Sequence, residues 1–154
     1  MHGHLARTPG FPQSLRKVRS LPISPLLALA AILSGCAALG LSPYDPTTYR
    51  NLTGLKPKIA MLYETFTRDP VNEEKIGEAR LELAQIYEYE KGKGESNKET
   101  ARQVQLIREM FERQVENRLK QGKWSVTFMQ NATENIQDAF DVAIRTERLK
   151  NKSE

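Results

Sequence analysis

Leu52, Leu55, Ile59, Leu62 and Phe66 follow one another at steps of three, four, three and four. That spacing sets all five on one side of an α-helix, because about 3.6 residues complete a turn. The same kind of stripe recurs three times. Ile76, Ala79, Leu83 and Ile86 form the second, and Val104, Ile107, Phe111, Val115 and Leu119 the third. Met129, Ala132, Ile136, Ala139, Phe140 and Ala143 form the fourth. A one-sided helix cannot bury its stripe alone, so four in one chain are expected to pack against one another. Apolar–polar alternation of useful length, the mark of a strand, does not occur. The expected fold class is all-α.

The breaks between stripes carry helix-boundary chemistry. Asp45-Pro46 offers an N-cap followed by a proline suited to the first helical position, and Asp69-Pro70 repeats it. Ser96 with Glu99 three residues on reads as a capping box, and Ser125 as the cap of the fourth helix. Gly92, Gly94 and Gly122 mark turns. Gly54 and Pro57 interrupt the first stripe, yet its phase continues across them. One helix kinked near Pro57 is therefore expected rather than two. The links are short, which makes consecutive helices antiparallel. Residues 44–154 should form one domain, an up-and-down antiparallel bundle of about four helices. A solenoid of 34-residue helical repeats is the rival, but its Trp, Leu-Gly and Tyr positions are missing.

The region before the bundle is of another kind. Residues 1–20 carry Arg7, Arg16, Lys17 and Arg19 and no acidic residue. Residues 21–33 are apolar apart from Ser24, Pro22 and Pro25, and Leu33-Ser34-Gly35-Cys36 follows. A basic start, a short apolar core and small residues before a cut site describe a signal peptide. The core is shorter than the roughly 20 residues of a spanning helix, and proline breaks it.

Leu33, Ser34, Gly35 and Cys36 resemble the lipobox of bacterial lipoproteins. That resemblance covers residues 16–36 and implies removal of residues 1–35 and a diacylglycerol on the Cys36 thiol. It further implies an acyl group on the new amino terminus of Cys36; beyond these two covalent lipids no cofactor is expected. Several acyl chains, at ~0.8 kcal/mol per buried methylene, make a stable anchor. Ala37 stands where an Asp commonly marks inner-membrane retention, so the resemblance points to the periplasmic face of the outer membrane. Residues 37–43 read as a tether of about 25 Å at full extension. Two other readings are an uncleaved anchor with Cys36 as a buried thiol, and a secreted protein cut elsewhere.

Cleavage before Cys36 changes what composition allows. The chain has 23 Lys and Arg against 19 Asp and Glu, and the leader takes four of the basic ones. The remaining 119 residues balance at nineteen each, which removes the electrostatic case for nucleic-acid binding. Both histidines, His2 and His4, also lie in the leader. Without histidine, and with its one cysteine lipidated, the body has no zinc set, Cys–His pair or Ser–His–Asp triad. Carboxylates, Lys, Tyr, Ser and Thr remain, so the residues point to a non-enzyme.

Several features have both a functional and a bland reading. Tyr87 and Tyr89 precede the glycine turn and could anchor a partner, or could pack on the core edge and over a lysine stem. Gly92 to Ser96 lacks the spacing and the preceding strand of a phosphate loop. Glu73, Glu74, Glu78, Glu82, Glu88 and Glu90 read as a solvated face. Leu106 and Met110 widen the third stripe, either to fill a central helix or to meet a partner. With Tyr89 they are the candidate partner surface. The expected function is a membrane-anchored accessory or scaffold protein that binds an envelope protein or a second copy of itself. The alternative is a small-ligand carrier, or a His-free enzyme with a cleft between helices.

Overall fold

The computed structural model describes residues 42–150, so Leu33, Ser34, Gly35, Cys36 and the whole expected leader lie outside the described residues. Among the described residues there are four α-helices and no strand. They are α1 (Pro46–Thr65), α2 (Glu73–Gly92), α3 (Lys98–Gln121) and α4 (Val126–Leu149), with a 3-10 turn at Glu95–Asn97. Cross-helix contacts fix their directions. Lys56 meets Asp141 at 2.5 Å and Asp45 meets Glu147 at 2.6 Å, so α1 and α4 run antiparallel. Lys58 meets Glu82 at 2.9 Å while Thr48 meets Glu90 at 2.6 Å, which makes α1 and α2 antiparallel as well. The helices close in a ring, with α1 packed on α4, α4 on α3, α3 on α2 and, least closely, α2 on α1. This is the expected all-α bundle. No helix among the described residues is long and apolar enough to cross a membrane.

The four stripes supply the core. Leu52, Leu55, Ile59, Tyr63, Phe66, Ile76, Leu83, Ile107, Phe111, Val115, Ile136 and Phe140 are all buried. Pro57 is exposed and sits inside α1 without dividing it. Its missing N–H leaves one backbone acceptor unmatched on the solvent side, where water can serve it. Gly94 and Gly122 have φ of 80° and 84° with ψ of −164° and −157°, a region essentially closed to other residues.

Three local expectations fail, each for a physical reason. α2 starts at Glu73 rather than at Asp69-Pro70, because Asn72 takes the cap with its side chain accepting from the Lys75 N–H at 2.9 Å. The Asp69 carboxylate is engaged by Arg118 instead. α3 starts at Lys98 and has no capping box from Ser96. Asn97 holds the N-cap position, but its side chain is spent on tertiary bonds. Leu119 is 51 % exposed, because the inward position in the last turn of α3 falls to Arg118, which is 3 % exposed.

Candidate functional site

The buried charges mark the two ends of the bundle. At the end where α1 and α3 start and α2 and α4 finish, Glu90 and Glu147 are both 0 % exposed. The Glu90 carboxylate accepts from Thr48 Oγ1 at 2.6 Å, Asn97 Nδ2 at 2.8 Å and Lys93 Nζ at 3.0 Å. Glu147 accepts from the Asp45 N–H at 2.6 Å and from Lys150 Nζ at 2.6 Å. Asn97 joins the two halves. Its Oδ1 accepts from Ser42 Oγ at 2.8 Å and from Lys150 Nζ at 2.6 Å, and its Nδ2 also donates to the Glu90 carbonyl at 2.9 Å. Ser42, expected at the end of a tether, is thus buried and bonded; its N–H also donates to the Ser96 carbonyl at 2.9 Å.

Asp45 completes this clasp at the surface. Its carboxylate caps α1 by accepting from the Thr47 N–H at 2.7 Å. The other oxygen accepts from Tyr89 Oη at 2.7 Å and lies 2.7 Å from Lys93 Nζ. Burial alone would raise the Asp45 carboxyl, but the bonds from Lys93, Tyr89 and Thr47 outweigh it and hold it well below the usual carboxylate range. Burial likewise pulls the Lys93 ammonium down, and Asp45 and Glu90 more than restore it, leaving it above its ordinary value. Three carboxylates (Asp45, Glu90, Glu147) therefore face two ammonium groups (Lys93, Lys150). A buried charge with this many donors is tolerable; left alone it would cost several kcal/mol.

At the opposite end the filling is aromatic. Tyr63 stacks on Phe66 at 5.4 Å and on Phe111 at 6.1 Å, and Trp124 meets Phe66 edge-on at 4.9 Å. Phe128, 44 % exposed, meets the Trp124 ring at 5.0 Å. Burial pushes the Tyr63 phenol far up, with Glu112 adding to it, so it acts as a neutral donor to Gln114 Oε1. Arg118 ties the α1–α2 connection to α3, donating to the Phe66 carbonyl at 2.8 Å, to the Arg68 carbonyl at 2.7 Å and to Asp69.

Along the loosest seam, α1 and α2 leave a groove of about 510 Å³. Leu55, Leu62 and Ala79 contribute to its apolar lining, Met61 stands 66 % exposed beside it, and Lys58, Lys75, Glu78 and Glu82 lie along it. Those charges are paired with each other, Lys58 with Glu82 at 2.9 Å and Lys75 with Glu78 at 2.6 Å.

The sequence-predicted partner residues lie apart in character. Leu106 is 46 % exposed, whereas Met110 is half-buried against the core. Tyr89 is bonded into the clasp, with Lys93 Nζ 4.4 Å over its ring, and Tyr87 packs on the core edge under Arg108. Of the expected solvated glutamates, Glu90 is the exception: it is wholly buried because Thr48, Lys93 and Asn97 converge on it. The buried polar residues missed from sequence have a signal in common. Thr48, Glu90, Thr100 and Glu147 each continue an apolar stripe by one step of four at its end, and Arg118 lies one step of three past Val115, in place of Leu119. Among the described residues no group of His, Cys, Asp and Glu is placed to hold a metal ion. Comparison with family models, with curated proteins and with solved structures returns no match for this chain.

Proposed function

We propose that this chain is a lipid-anchored protein of the bacterial envelope that works by binding another macromolecule, as an accessory or scaffold subunit. The anchor half rests on the lipobox-like Leu33-Ser34-Gly35-Cys36, with Cys36 as the acylated residue. The binding half rests on the groove between α1 and α2, an open trough with an apolar floor of Leu55, Leu62 and Ala79. A large exposed methionine beside such a trough is a common feature of adaptable binding surfaces. The second reading, a carrier of a small apolar ligand, is favoured by the same groove, whose volume lies in the usual range for ligand sites of about 300–1,000 Å³.

One experiment separates these readings. A photo-reactive residue at Met61 or at Leu106 is introduced into the full chain in living cells, with and without Cys36→Ser. Capture of one envelope protein from Met61, lost when Cys36→Ser releases the chain from membranes, is the expected result. A chain that stays membrane-bound after Cys36→Ser refutes the anchor. Absence of any protein adduct from both positions refutes the binding role and favours the carrier.

A further inference from the structure

Three of the four seams of the bundle are crossed by an ion pair: Lys58–Glu82 between α1 and α2, Arg80–Glu112 between α2 and α3, and Lys56–Asp141 between α1 and α4. Among the described residues none crosses the seam between α3 and α4. There Gln103 Nε2 donates to Thr146 Oγ1 at 2.9 Å and Gln114 Nε2 to the Ala132 carbonyl at 3.3 Å, so the two helices run antiparallel. One turn in from the first of these bonds, Leu106 on α3 and Val142 on α4 stand at the same level, 46 % and 49 % exposed. Met110 and Ala139, half-buried against the core, continue this apolar strip one turn further along.

The charges one turn to either side of Leu106 and Val142 are sorted by sign. Toward the start of α3 and the finish of α4 stand Arg102 and Arg145; in the other direction stand Glu109 and Asp138. All four are exposed. None of them enters an ion pair among the described residues, and Glu109 accepts only from the Gln105 amide, at 3.0 Å. A two-fold interface joins the same patch of two copies, so that patch must complement itself. This one does so in one orientation. An axis lying across both helices at the level of Leu106 and Val142 sets α3 on α3 and α4 on α4 of the second copy, antiparallel. Arg102 then meets Glu109 and Arg145 meets Asp138, each twice. An axis lying along the helices sets α3 on α4 instead, and brings Arg102 onto Arg145 and Glu109 onto Asp138. The face is also of a suitable size. α3 and α4 have 24 residues each. They are therefore about 36 Å long and, at roughly 10 Å per helix, about 20 Å across together. That footprint of about 700 Å² approaches the roughly 800 Å² that each partner buries in a standard stable interface.

We propose that the outer face of α3 and α4 docks a second copy of this chain, antiparallel, with Leu106 and Val142 at the centre and the four charges pairing around them. This surface is separate from the groove and does not depend on the lipid anchor. In the ring of helices the α1–α2 seam lies opposite the α3–α4 seam. The dimer therefore keeps both grooves open, on its two outer sides. Two grooves on one particle can hold two sites of a partner at once and raise the strength of attachment without any new contact.

Sedimentation equilibrium on the full chain in a density-matched mild detergent tests this. The parent is compared with Val142→Asp, with Asp138→Arg and with the double variant Asp138→Arg, Arg145→Asp. All three change exposed side chains only, and helical circular dichroism checks that each folds as the parent does. The parent should be a dimer. Val142→Asp should weaken it tenfold or more, because a charge enters the centre of the contact twice. Asp138→Arg should weaken it about tenfold, because each substituted chain then sets arginine against arginine. The double variant should regain the parent's affinity, since its α4 charges are exchanged and still complement themselves. Four results overturn the proposal. The first is a parent that stays monomeric up to about 0.1 mM. The second is a dimer indifferent to Val142→Asp and Asp138→Arg. The third is a double variant no tighter than Asp138→Arg alone. The fourth is a dimer lost in Met61→Lys but kept in Val142→Asp, which would put the second copy in the groove.

Discussion

Replacing Arg118 with alanine tests how the aromatic end of the bundle is held. The guanidinium is 3 % exposed and serves three acceptors on the α1–α2 connection: the Phe66 carbonyl, the Arg68 carbonyl and the Asp69 carboxylate. A bond from a charged donor contributes about 1.5–3 kcal/mol, so simple addition would suggest a loss above 5 kcal/mol. The surroundings reduce that figure. The Phe66 carbonyl keeps a second donor, the Trp124 N–H at 3.0 Å. Arg68 is exposed and the Asp69 side chain is 55 % exposed, so water can replace the guanidinium at both. What is lost outright is one buried bond and the packing of the arginine stem, together about 2–3 kcal/mol. Urea unfolding of Arg118→Ala, followed at once by helical circular dichroism and by fluorescence of the single tryptophan, measures this. Trp124 lies against Phe66 and reports the local end, whereas dichroism reports all four helices. The two transitions should shift together by 2–3 kcal/mol. A loss under about 0.5 kcal/mol would mean that Arg118 merely fills space. A loss above about 5 kcal/mol would mean that water does not reach Arg68 and Asp69, and the reasoning from exposure would fail.

Two more predictions concern charge and backbone. The folded Asp45 carboxyl is held below its ordinary value of 3.8, so its contribution is fully present at neutral pH and is lost as pH falls below about 4 toward the folded value. Asp45→Asn keeps a capping side chain but not this titration, and it should lose less stability than the parent between pH 7 and pH 2.5 in urea unfolding; equal losses would remove Asp45 from the acid response. Gly122→Ala should cost about 1–3 kcal/mol by thermal unfolding, from the backbone alone, since nothing lies within 4 Å of the added carbon.

Helix content was legible because every stripe of α1 to α4 keeps a spacing that only a helix presents on one face. Ile59, Phe111 and Phe140 could be placed in the core from that spacing alone, and they are there. Helix starts were less legible. Asp69 and Ser96 have the residue types of caps, but the structure gives those two residues other tertiary roles: Asp69 serves Arg118, and the Ser96 carbonyl receives the Ser42 N–H. A local motif cannot reveal a competing partner fifty residues away. The clasp escaped for a related reason. Sequence logic assigns a glutamate to solvent by default. Glu90 and Glu147 reverse that only because Thr48, Asn97, Lys93, Lys150 and the Asp45 amide converge on them from separate elements. Their place in phase with the stripes above them was the visible clue, and it holds for Arg118 as well.

The bond from Asp45 to Glu147 has a consequence for the order of assembly. At many helix starts a glutamate three residues inside the helix reaches back to the amide of the cap. In α1 that position is Thr48, and the acceptor comes instead from α4, 102 positions away. The first helix thus borrows its last stabilising group from the end of the chain. A growing chain leaving the ribosome amino end first can form and cap α1 early, but the Asp45 amide gains its acceptor only when Glu147 has been made and α4 has docked. Closing so long a loop costs little more entropy than closing one half its length, about 0.6 kcal/mol per doubling, so lateness is no great burden. Its effect is to make the first turn of the bundle register its far end: a chain cut short before residue 147 would still hold Ser42 on Ser96 and Asn97 and Asp45 on Tyr89 and Lys93, but its Asp45 amide would have lost its acceptor.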